Sequence, residues 1–139
     1  MTLYVVDASV AIKWYVPEVH SETAACLLDG THEIIAPDLL LPEFGNILWK
    51  KVQRGQISVE TSRTILQEFK AVTLQIYPSE PLLETAVDMA VALGQTVYDC
   101  FYLVLAVTQQ CQMVTADEKF YNALKTSSYA SNLLWVENI

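Results

Sequence analysis

The feature that most constrains the fold is a regular alternation of short apolar segments with segments of helical periodicity. Between the short segments, apolar residues recur three and four positions apart, and Ser58, Gly55 and Gly94 provide helix-start and helix-stop signals. Strands that alternate with helices form βαβ units and a mainly parallel sheet. The chain is therefore predicted to be an α/β protein with helices on both faces of a central sheet of about five strands. The predicted strands are residues 3–6, 33–36, 73–77, 112–116 and 133–136.

Length and composition limit the class of protein. The 139 residues predict one domain, residues 1–139, and the 53% of hydrophobic residues exclude a disordered chain. Cys26, Cys100 and Cys111 are odd in number and lack CxxC spacing, which disfavours a disulfide scaffold and a zinc site and favours a reducing cytoplasm. No apolar run approaches the roughly 20 residues of a membrane span. The N-terminus lacks the basic region of a signal peptide, so no membrane partner is expected.

The charge balance restricts how this chain can handle nucleic acid. It carries 16 acidic and 8 basic residues, a formal net charge of −8. Such a chain repels polyanions at long range, so chemistry on RNA or DNA requires bound cations or a local basic patch. The candidates for phosphate contacts are Lys13, Lys50, Lys51, Arg54 and Lys119. The three of them at positions 50, 51 and 54 form a basic cluster, for which an ordinary solvated helix end is the alternative explanation.

Two acidic residues come at the ends of predicted strands. Asp7 directly follows the first strand, and Asp117 follows the sequence MVTA of the fourth. Ligands of open parallel sheets bind beyond the carboxyl ends of the strands, so both side chains are expected at a site. Each can also act as the N-cap of the following helix by accepting from free backbone N–H groups. The residues alone leave both explanations open.

Two further acids lie in helical segments that are otherwise apolar. Glu43, in LLLPEFGNILW, falls three residues after Leu40 and four before Ile47, on a face where an uncompensated charge is costly. A metal ligand or catalytic acid is favoured there over a buried Glu that pairs with a base elsewhere in the chain. Asp99, in TVYDCFYLVLAV, lies one turn into the most apolar segment, where a capping box with Thr96 is the alternative.

The topology predicts that all four acids converge. In a parallel sheet, the strand ends and the starts of the following helices share one edge. Carboxylates held together at that edge repel each other strongly at low dielectric. A divalent cation removes the repulsion, and hard oxygen ligands suit Mg²⁺ or Mn²⁺. Two metal ions held by acids are a recurring arrangement for in-line phosphodiester cleavage.

The segments that carry these acids resemble the four motifs of the PIN-domain nucleases, in particular the VapC-type toxins of bacterial toxin–antitoxin systems. VVDASVAIKW is similar to the first motif, a strand that ends in Asp followed by a small residue and Ser or Thr. PDLLLPEFGNILWK, VYDCFYLVLA and MVTADEKF resemble the second, third and fourth motifs, with Glu43, Asp99 and Asp117 as their acids. Order, spacing and flanking residues agree over nearly the whole chain. The resemblance implies a three-layer α/β/α PIN-like fold.

The resemblance also implies a metal-dependent endoribonuclease. One or two Mg²⁺ or Mn²⁺ ions would lower the pKa of a bound water and offset negative charge on the scissile phosphate. Ser9 and Thr115 would orient carboxylates or metal-bound water, although a local turn hydrogen bond is an equal alternative for Ser9. Asn46, on nearly the same helix face as Glu43, is expected to support the same site. The acidic pocket would consist of Asp7, Glu43, Asp99 and Asp117.

The partners implied by the resemblance are an RNA substrate, a second copy in a homodimer and a small antitoxin that occupies the active site. A basic antitoxin tail would complement the net charge of −8. A catalytically silent PIN-like binding module is the alternative, although all four acids are present. A receiver-type signalling domain fits less well, because it needs an Asp after the third strand and a Lys after the last, where this chain has PSEP and no Lys. The absence of GxGxxG and P-loop motifs disfavours a dinucleotide- or ATP-dependent enzyme.

Overall fold

The computed structural model describes residues 2–139, which contain a sheet of five parallel strands. The strand order across the sheet is β3-β2-β1-β4-β5, and each neighbouring pair is parallel. The predicted α/β class is confirmed, and the third strand begins two residues later than predicted. The strands are β1 (Thr2–Val6), β2 (His32–Pro37), β3 (Gln75–Tyr77), β4 (Gln112–Thr115) and β5 (Leu133–Trp135).

Seven α-helices connect the strands within these residues. The helix predicted at residues 21–28 is α-helical only to Ala25 and continues as the 3₁₀ turn Cys26–Leu28. The helix predicted from Asp38 begins at Leu40, because Asp38 instead accepts a hydrogen bond from the Ser79 hydroxyl at the end of the adjacent strand. The helices are α1 (Ala8–Ala11), α2 (Ser21–Ala25), α3 (Leu40–Gln53), α4 (Val59–Ala71), α5 (Leu83–Leu93), α6 (Val97–Thr108) and α7 (Glu118–Leu124).

Helices cover both faces of the sheet, which makes the three-layer α/β/α arrangement. Helix α6 packs against β1, β2 and β4 on one side and against α5 on the other. Its residues 100–106 are all buried, which explains why this segment is the most apolar in the chain. Helices α1 and α3 pack together, and α4 packs on α3. The two faces of β1 and β4 are thereby removed from water, as expected of a parallel sheet.

Local capping signals set several helix ends as predicted. The Ser58 hydroxyl accepts from the Thr61 N–H at 3.0 Å at the start of α4, and the Thr96 hydroxyl accepts from the Asp99 N–H at 3.2 Å at the start of α6. Gly94 ends α5 with φ of 67°, a left-handed conformation that favours glycine.

The order of the strands creates one topological switch point. From β1 the chain moves through β2 to β3 at one edge, then returns to β4 beside β1 and continues to β5 at the other edge. In open α/β sheets, ligands bind at such a switch point, outside the carboxyl ends of the strands. Asp7 and the segment after Thr115 lie there.

No single helix within residues 2–139 is long and apolar enough to cross a membrane. The segments Glu80–Leu93 and Val97–Thr108 reach the required length and hydropathy only as a pair, with a bend of 113° between them.

Candidate active site

A cavity of about 630 Å³ opens at the switch point, at the carboxyl edge of the sheet. Its walls come from the end of β1, the first turns of α3, the start of α6 and the N-cap of α7. The structure therefore brings the four acids singled out from the sequence into one cavity, and their catalytic roles stay a prediction. The acids that line it are Asp7, Glu43, Asp99 and Asp117.

Asp7 is the most buried of the four, with 7% of its surface exposed. Its Oδ2 accepts from the Thr115 hydroxyl at 2.6 Å, and its Oδ1 accepts from the Ser9 hydroxyl at 2.6 Å and the Val10 N–H at 3.1 Å. Burial raises the pKa of Asp7 to about 6 in spite of these donors, and the nearby charge of Asp99 adds to the rise. The bond from Val10 makes Asp7 the N-cap of α1, so one carboxylate both caps a helix and lines the cavity.

Two hydroxyls fasten the end of β1 to the end of β4. Besides donating to Asp7, the Ser9 hydroxyl accepts from the Ala116 N–H at 3.1 Å. The Thr115 hydroxyl, which is fully buried, accepts from the Asp117 N–H at 3.1 Å. Ser9 therefore forms a long-range bridge as well as a local turn contact. The two hydroxyls fix the backbone on which Asp7 and Asp117 are carried.

Asp117 also combines a cap with a place in the cavity wall. Its Oδ1 accepts from the Phe120 N–H at 3.1 Å, which makes it the N-cap of α7. The residue is exposed, in contrast to Asp7 on the neighbouring strand. The capping explanation for this position is therefore confirmed, and a role in the site stays a prediction that its place in the cavity wall allows.

Glu43 lies in the first turn of α3 and is half-buried. Its Oε1 accepts from the Tyr102 hydroxyl at 2.5 Å. Burial raises the pKa of Glu43, the hydrogen bond from Tyr102 opposes the rise, and the charge of Asp99 adds to it. The partner of this acid is therefore a phenol on α6 and not a base. Burial also raises the pKa of Tyr102, helped by its contact with Glu43, so the phenol is a donor at neutral pH.

Tyr102 was not singled out by sequence reasoning. It is 1% exposed and lies within the apolar run of α6, where an aromatic residue is explained by core packing. The available signal is its position three residues after Asp99, which places both side chains on one face of the helix. Tyr98, one residue before Asp99, also lines the cavity and was likewise missed.

Asp99 occupies the first turn of α6. Its Oδ2 accepts from the Thr96 hydroxyl at 3.0 Å, and its own N–H donates back to the same hydroxyl. The predicted capping interaction is thus present in a modified form, with the carboxylate bonded to the Thr96 side chain instead of the Thr96 N–H. Burial raises the pKa of Asp99, the Thr96 hydroxyl opposes this, and the charge of Asp117 adds to the rise.

The predicted basic residues separate into different environments. Lys50, together with Asn46, lines the cavity. Lys13 and Lys51 instead pair with Glu18, at N–O distances of 3.2 and 2.7 Å. Burial alone would raise the pKa of Glu18, but the two lysines outweigh it and lower the pKa. Arg54 and Lys119 are exposed and lie outside the cavity lining, and the phosphate contacts stay a prediction.

The donor set fits a divalent cation that keeps much of its water. Within residues 2–139, no three His, Cys, Asp or Glu side chains stand close enough to hold a metal ion directly. Magnesium commonly binds proteins through one or two carboxylates and retains several waters, so a direct three-residue cluster is not required. Burial is the main cause of the raised pKa values of Asp7, Glu43 and Asp99, and a neighbouring carboxylate adds to each: Asp99 for the first two and Asp117 for Asp99. A bound cation would relieve this repulsion.

Comparison with known proteins places this geometry in a family. The PIN domain family model matches residues 4–125. The chain is 34% identical over 119 residues to "Ribonuclease VapC3" of Pyrobaculum aerophilum, covering 83% of this chain and 89% of that protein.

Two solved structures share the fold. PAE2754 from Pyrobaculum aerophilum superposes with a TM-score of 0.73 at 23% identity, over 98% of this chain and 85% of that one. A chain of a toxin–antitoxin complex from Klebsiella pneumoniae superposes with a TM-score of 0.64 at 12% identity, over the full length of both chains. At these identities the superpositions show a common fold.

Proposed function

The chain belongs to the PIN domain family, and from this membership we propose that it is a metal-dependent endoribonuclease that acts as the toxin of a toxin–antitoxin pair. The relative from Pyrobaculum aerophilum is named a ribonuclease, and it matches this chain over most of both lengths. The observation that carries the proposal is the cavity at the switch point, in which four carboxylates and one lysine meet.

The proposed cofactor is Mg²⁺ or Mn²⁺, held by Asp7, Glu43, Asp99 and Asp117 directly or through water. When bound, the cation supplies a water of lowered pKa and offsets negative charge on the scissile phosphate. Hard carboxylate oxygens are the ligands that these two ions prefer. Glu43, Asp99 and Asp117 each have one carboxylate oxygen that accepts no hydrogen bond from the described residues, so each acid retains an oxygen that can accept a bond from a cation or its water.

The chain's own residues orient the acids and bind the substrate. The hydroxyls of Ser9 and Thr115 each donate to a different oxygen of Asp7, which restricts rotation of its carboxylate. Lys50 is the cationic side chain in the cavity wall among residues 2–139, and we assign it a contact to an RNA phosphate oxygen. Lys13 and Lys51 are held by Glu18, and the proposal gives them a supporting role in packing.

The proposed partner is a small antitoxin with a basic tail. The fold is shared with a chain of a toxin–antitoxin complex, and the acidic cavity is complementary to an Arg or Lys side chain. We also propose a homodimer and a cytoplasmic location. The location follows from the proposed substrate, which is cellular RNA.

The proposal is tested by incubating the purified protein with a mixed RNA pool that includes tRNA, in Mg²⁺, Mn²⁺ or chelator. Asp99→Asn removes one cavity acid, and Asp88→Asn removes an exposed acid on α5 as a matched control. Cleavage that needs the metal, disappears in Asp99→Asn and persists in Asp88→Asn is the expected result. Equal cleavage by all three proteins would place the nuclease elsewhere, and metal binding without any cleavage would favour the catalytically silent binding module.

A further inference from the structure

We propose that Tyr102 is a positioning residue for Glu43, and that its hydroxyl holds one carboxylate oxygen so that the other stays available to a cation in the cavity. The inference rests on the proposed function, because it assigns a role at the same site. It assigns a role to Tyr102, which lies in the segment VYDCFYLVLA of the third motif but is not one of the four acids.

Burial of the Tyr102 ring restricts the position of its hydroxyl. Tyr102 lies in the run of α6 that is buried on all sides, and only 1% of its surface is exposed. Its ring therefore cannot move without disturbing the core. The hydroxyl is 2.5 Å from Oε1 of Glu43, a short contact of the kind made to a charged acceptor.

The contact differs from those that Asp99 and Asp117 receive. Asp99 and Asp117 each receive a hydrogen bond from within their own first helical turn, and such a bond forms wherever the helix forms. Glu43 receives its bond from Tyr102, 59 residues away on a different helix. Glu43 also has one more rotatable bond than Asp. Its orientation therefore depends on where α6 is placed relative to α3 across the cavity, and the hydrogen bond from the phenol links the carboxylate to that placement.

A purely structural role is the competing explanation, in which the phenol fills space and Glu43 satisfies its hydroxyl. The variant Tyr102→Phe separates the two, since it removes only the donor. Tyr15→Phe is the matched control. Tyr15 stacks on Phe44, next to Glu43 in the chain, and its buried hydroxyl has no hydrogen-bond partner among residues 2–139. Both variants delete one buried hydroxyl beside α3, but only one of these hydroxyls contacts a cavity acid.

The experiment is a calorimetric titration of Mn²⁺ into the full chain after treatment with chelator, with thermal unfolding of each variant in parallel. Tyr102→Phe is expected to raise the Kd for Mn²⁺ about 10-fold or more, the usual effect of losing a residue that orients a ligand. Tyr15→Phe is expected to leave it unchanged. Adding Tyr102→Phe to Glu43→Gln is expected to cause no further loss, because the phenol then has no ligand to orient. Saturating Mn²⁺ is expected to restore RNA cleavage by Tyr102→Phe.

Each contrary result has a separate meaning. A wild-type Kd in Tyr102→Phe, beside a weakened Kd in Glu43→Gln, would overturn the role of Tyr102 and leave the proposed function intact. Full additivity of the two substitutions would also overturn it. Absence of Mn²⁺ binding by the wild-type chain would overturn the proposed function and this inference together. If Tyr102→Phe proves unstable, a further loss of Mn²⁺ affinity from Glu43→Gln to the double variant would still overturn the inference, because the phenol then acts on binding without Glu43.

Discussion

Replacing Asp7 with Asn is expected to stabilise the metal-free protein while it abolishes RNA cleavage. Burial raises the pKa of Asp7 from 3.8 to about 6, so the folded state holds this carboxylate in an environment that disfavours its charge. Asn removes the charge, and its side-chain oxygen can still accept from Ser9 and Val10. Asn is also as good an N-cap as Asp, so α1 retains its start.

The expected magnitude follows from the displaced pKa. At about 1.36 kcal/mol per unit, ionising Asp7 at pH 7 costs the folded state about 3 kcal/mol relative to the unfolded chain. The Thr115 hydroxyl must turn from donor to acceptor to face the new amide, which reduces the gain. We therefore expect about 1–3 kcal/mol of added stability, or roughly 3–9 °C in Tm.

The sign with pH is the opposite of the usual one for a carboxylate. Between pH 3.8 and about 6 the folded state binds more protons at Asp7 than the unfolded chain does, so wild-type stability falls as the pH rises through this window. The pKa values of Glu43 and Asp99 are raised as well and act in the same direction. Asp7→Asn is expected to lose a substantial part of this slope.

Urea denaturation at pH 5 and pH 7.5, with chelator present, measures both effects. Asp88→Asn removes an exposed carboxylate on α5 and is expected to change stability by no more than about 0.5 kcal/mol. Destabilisation of Asp7→Asn by more than about 1 kcal/mol at pH 7.5 would refute the reasoning, as would a pH dependence equal to that of the wild type. Either result would mean that the hydrogen bonds to Asp7 outweigh the cost of burying its charge.

Three further predictions follow from contacts at or near the cavity. Asp117→Asn keeps the hydrogen bond that caps α7 through the Phe120 N–H, and Asp117→Ala loses it. Cleavage is expected to disappear in both variants, but only the Ala variant is expected to lose about 1 kcal/mol of stability in urea denaturation. Equal stability of the two variants would contradict the capping role. Glu18, whose pKa is lowered by its two lysines, contributes stability above pH 4.5 that is lost as the pH falls through its folded-state pKa. Glu18→Gln is therefore expected to cost roughly 0.5–1 kcal/mol at pH 7 and progressively less as the pH falls below 4.5; a cost independent of pH would argue against the ion pairs. Lys50→Ala is expected to weaken RNA binding measured by fluorescence anisotropy, and to reduce by about 1 the slope of the logarithm of the binding constant against the logarithm of salt concentration. Lys51→Ala is expected to lower stability instead, because Lys51 pairs with Glu18. Equal slopes for the two variants would remove Lys50 from the RNA interface.

The parts of the fold that sequence reasoning predicts are those set by neighbouring residues. The caps at Ser58 and Thr96 and the stop at Gly94 depend on hydrogen bonds and backbone preferences within one turn. The strand segments are recognisable because strands buried on both faces are short runs of apolar residues. Where a distant residue intervenes, the prediction is wrong by a few positions, as at the start of α3, where Asp38 bonds Ser79.

The candidate site shows the same difference between features set by neighbouring residues and features set by distant ones. Each of the four acids is conspicuous locally, since two end strands and two interrupt apolar helix faces. The pairs Tyr102–Glu43 and Lys51–Glu18 join residues 59 and 33 positions apart, and nothing in the periodicity of either segment specifies which partner its side chain meets. A buried tyrosine in an apolar run has a sufficient explanation in packing, so its second role becomes visible only in three dimensions.

The two roles of Asp7 and Asp117 have a consequence for how such a protein evolves. Both residues are helix caps as well as cavity acids, and Asn satisfies the first duty without the second. A single transition in the codon for either Asp yields Asn, so under the proposed function one mutational step would remove cleavage while the helix cap is kept. Descendants that keep this architecture and bind partners without cutting RNA would thus be one substitution away, and, with the proposed roles, an Asp retained at both positions in a lineage would indicate continuing selection for cleavage.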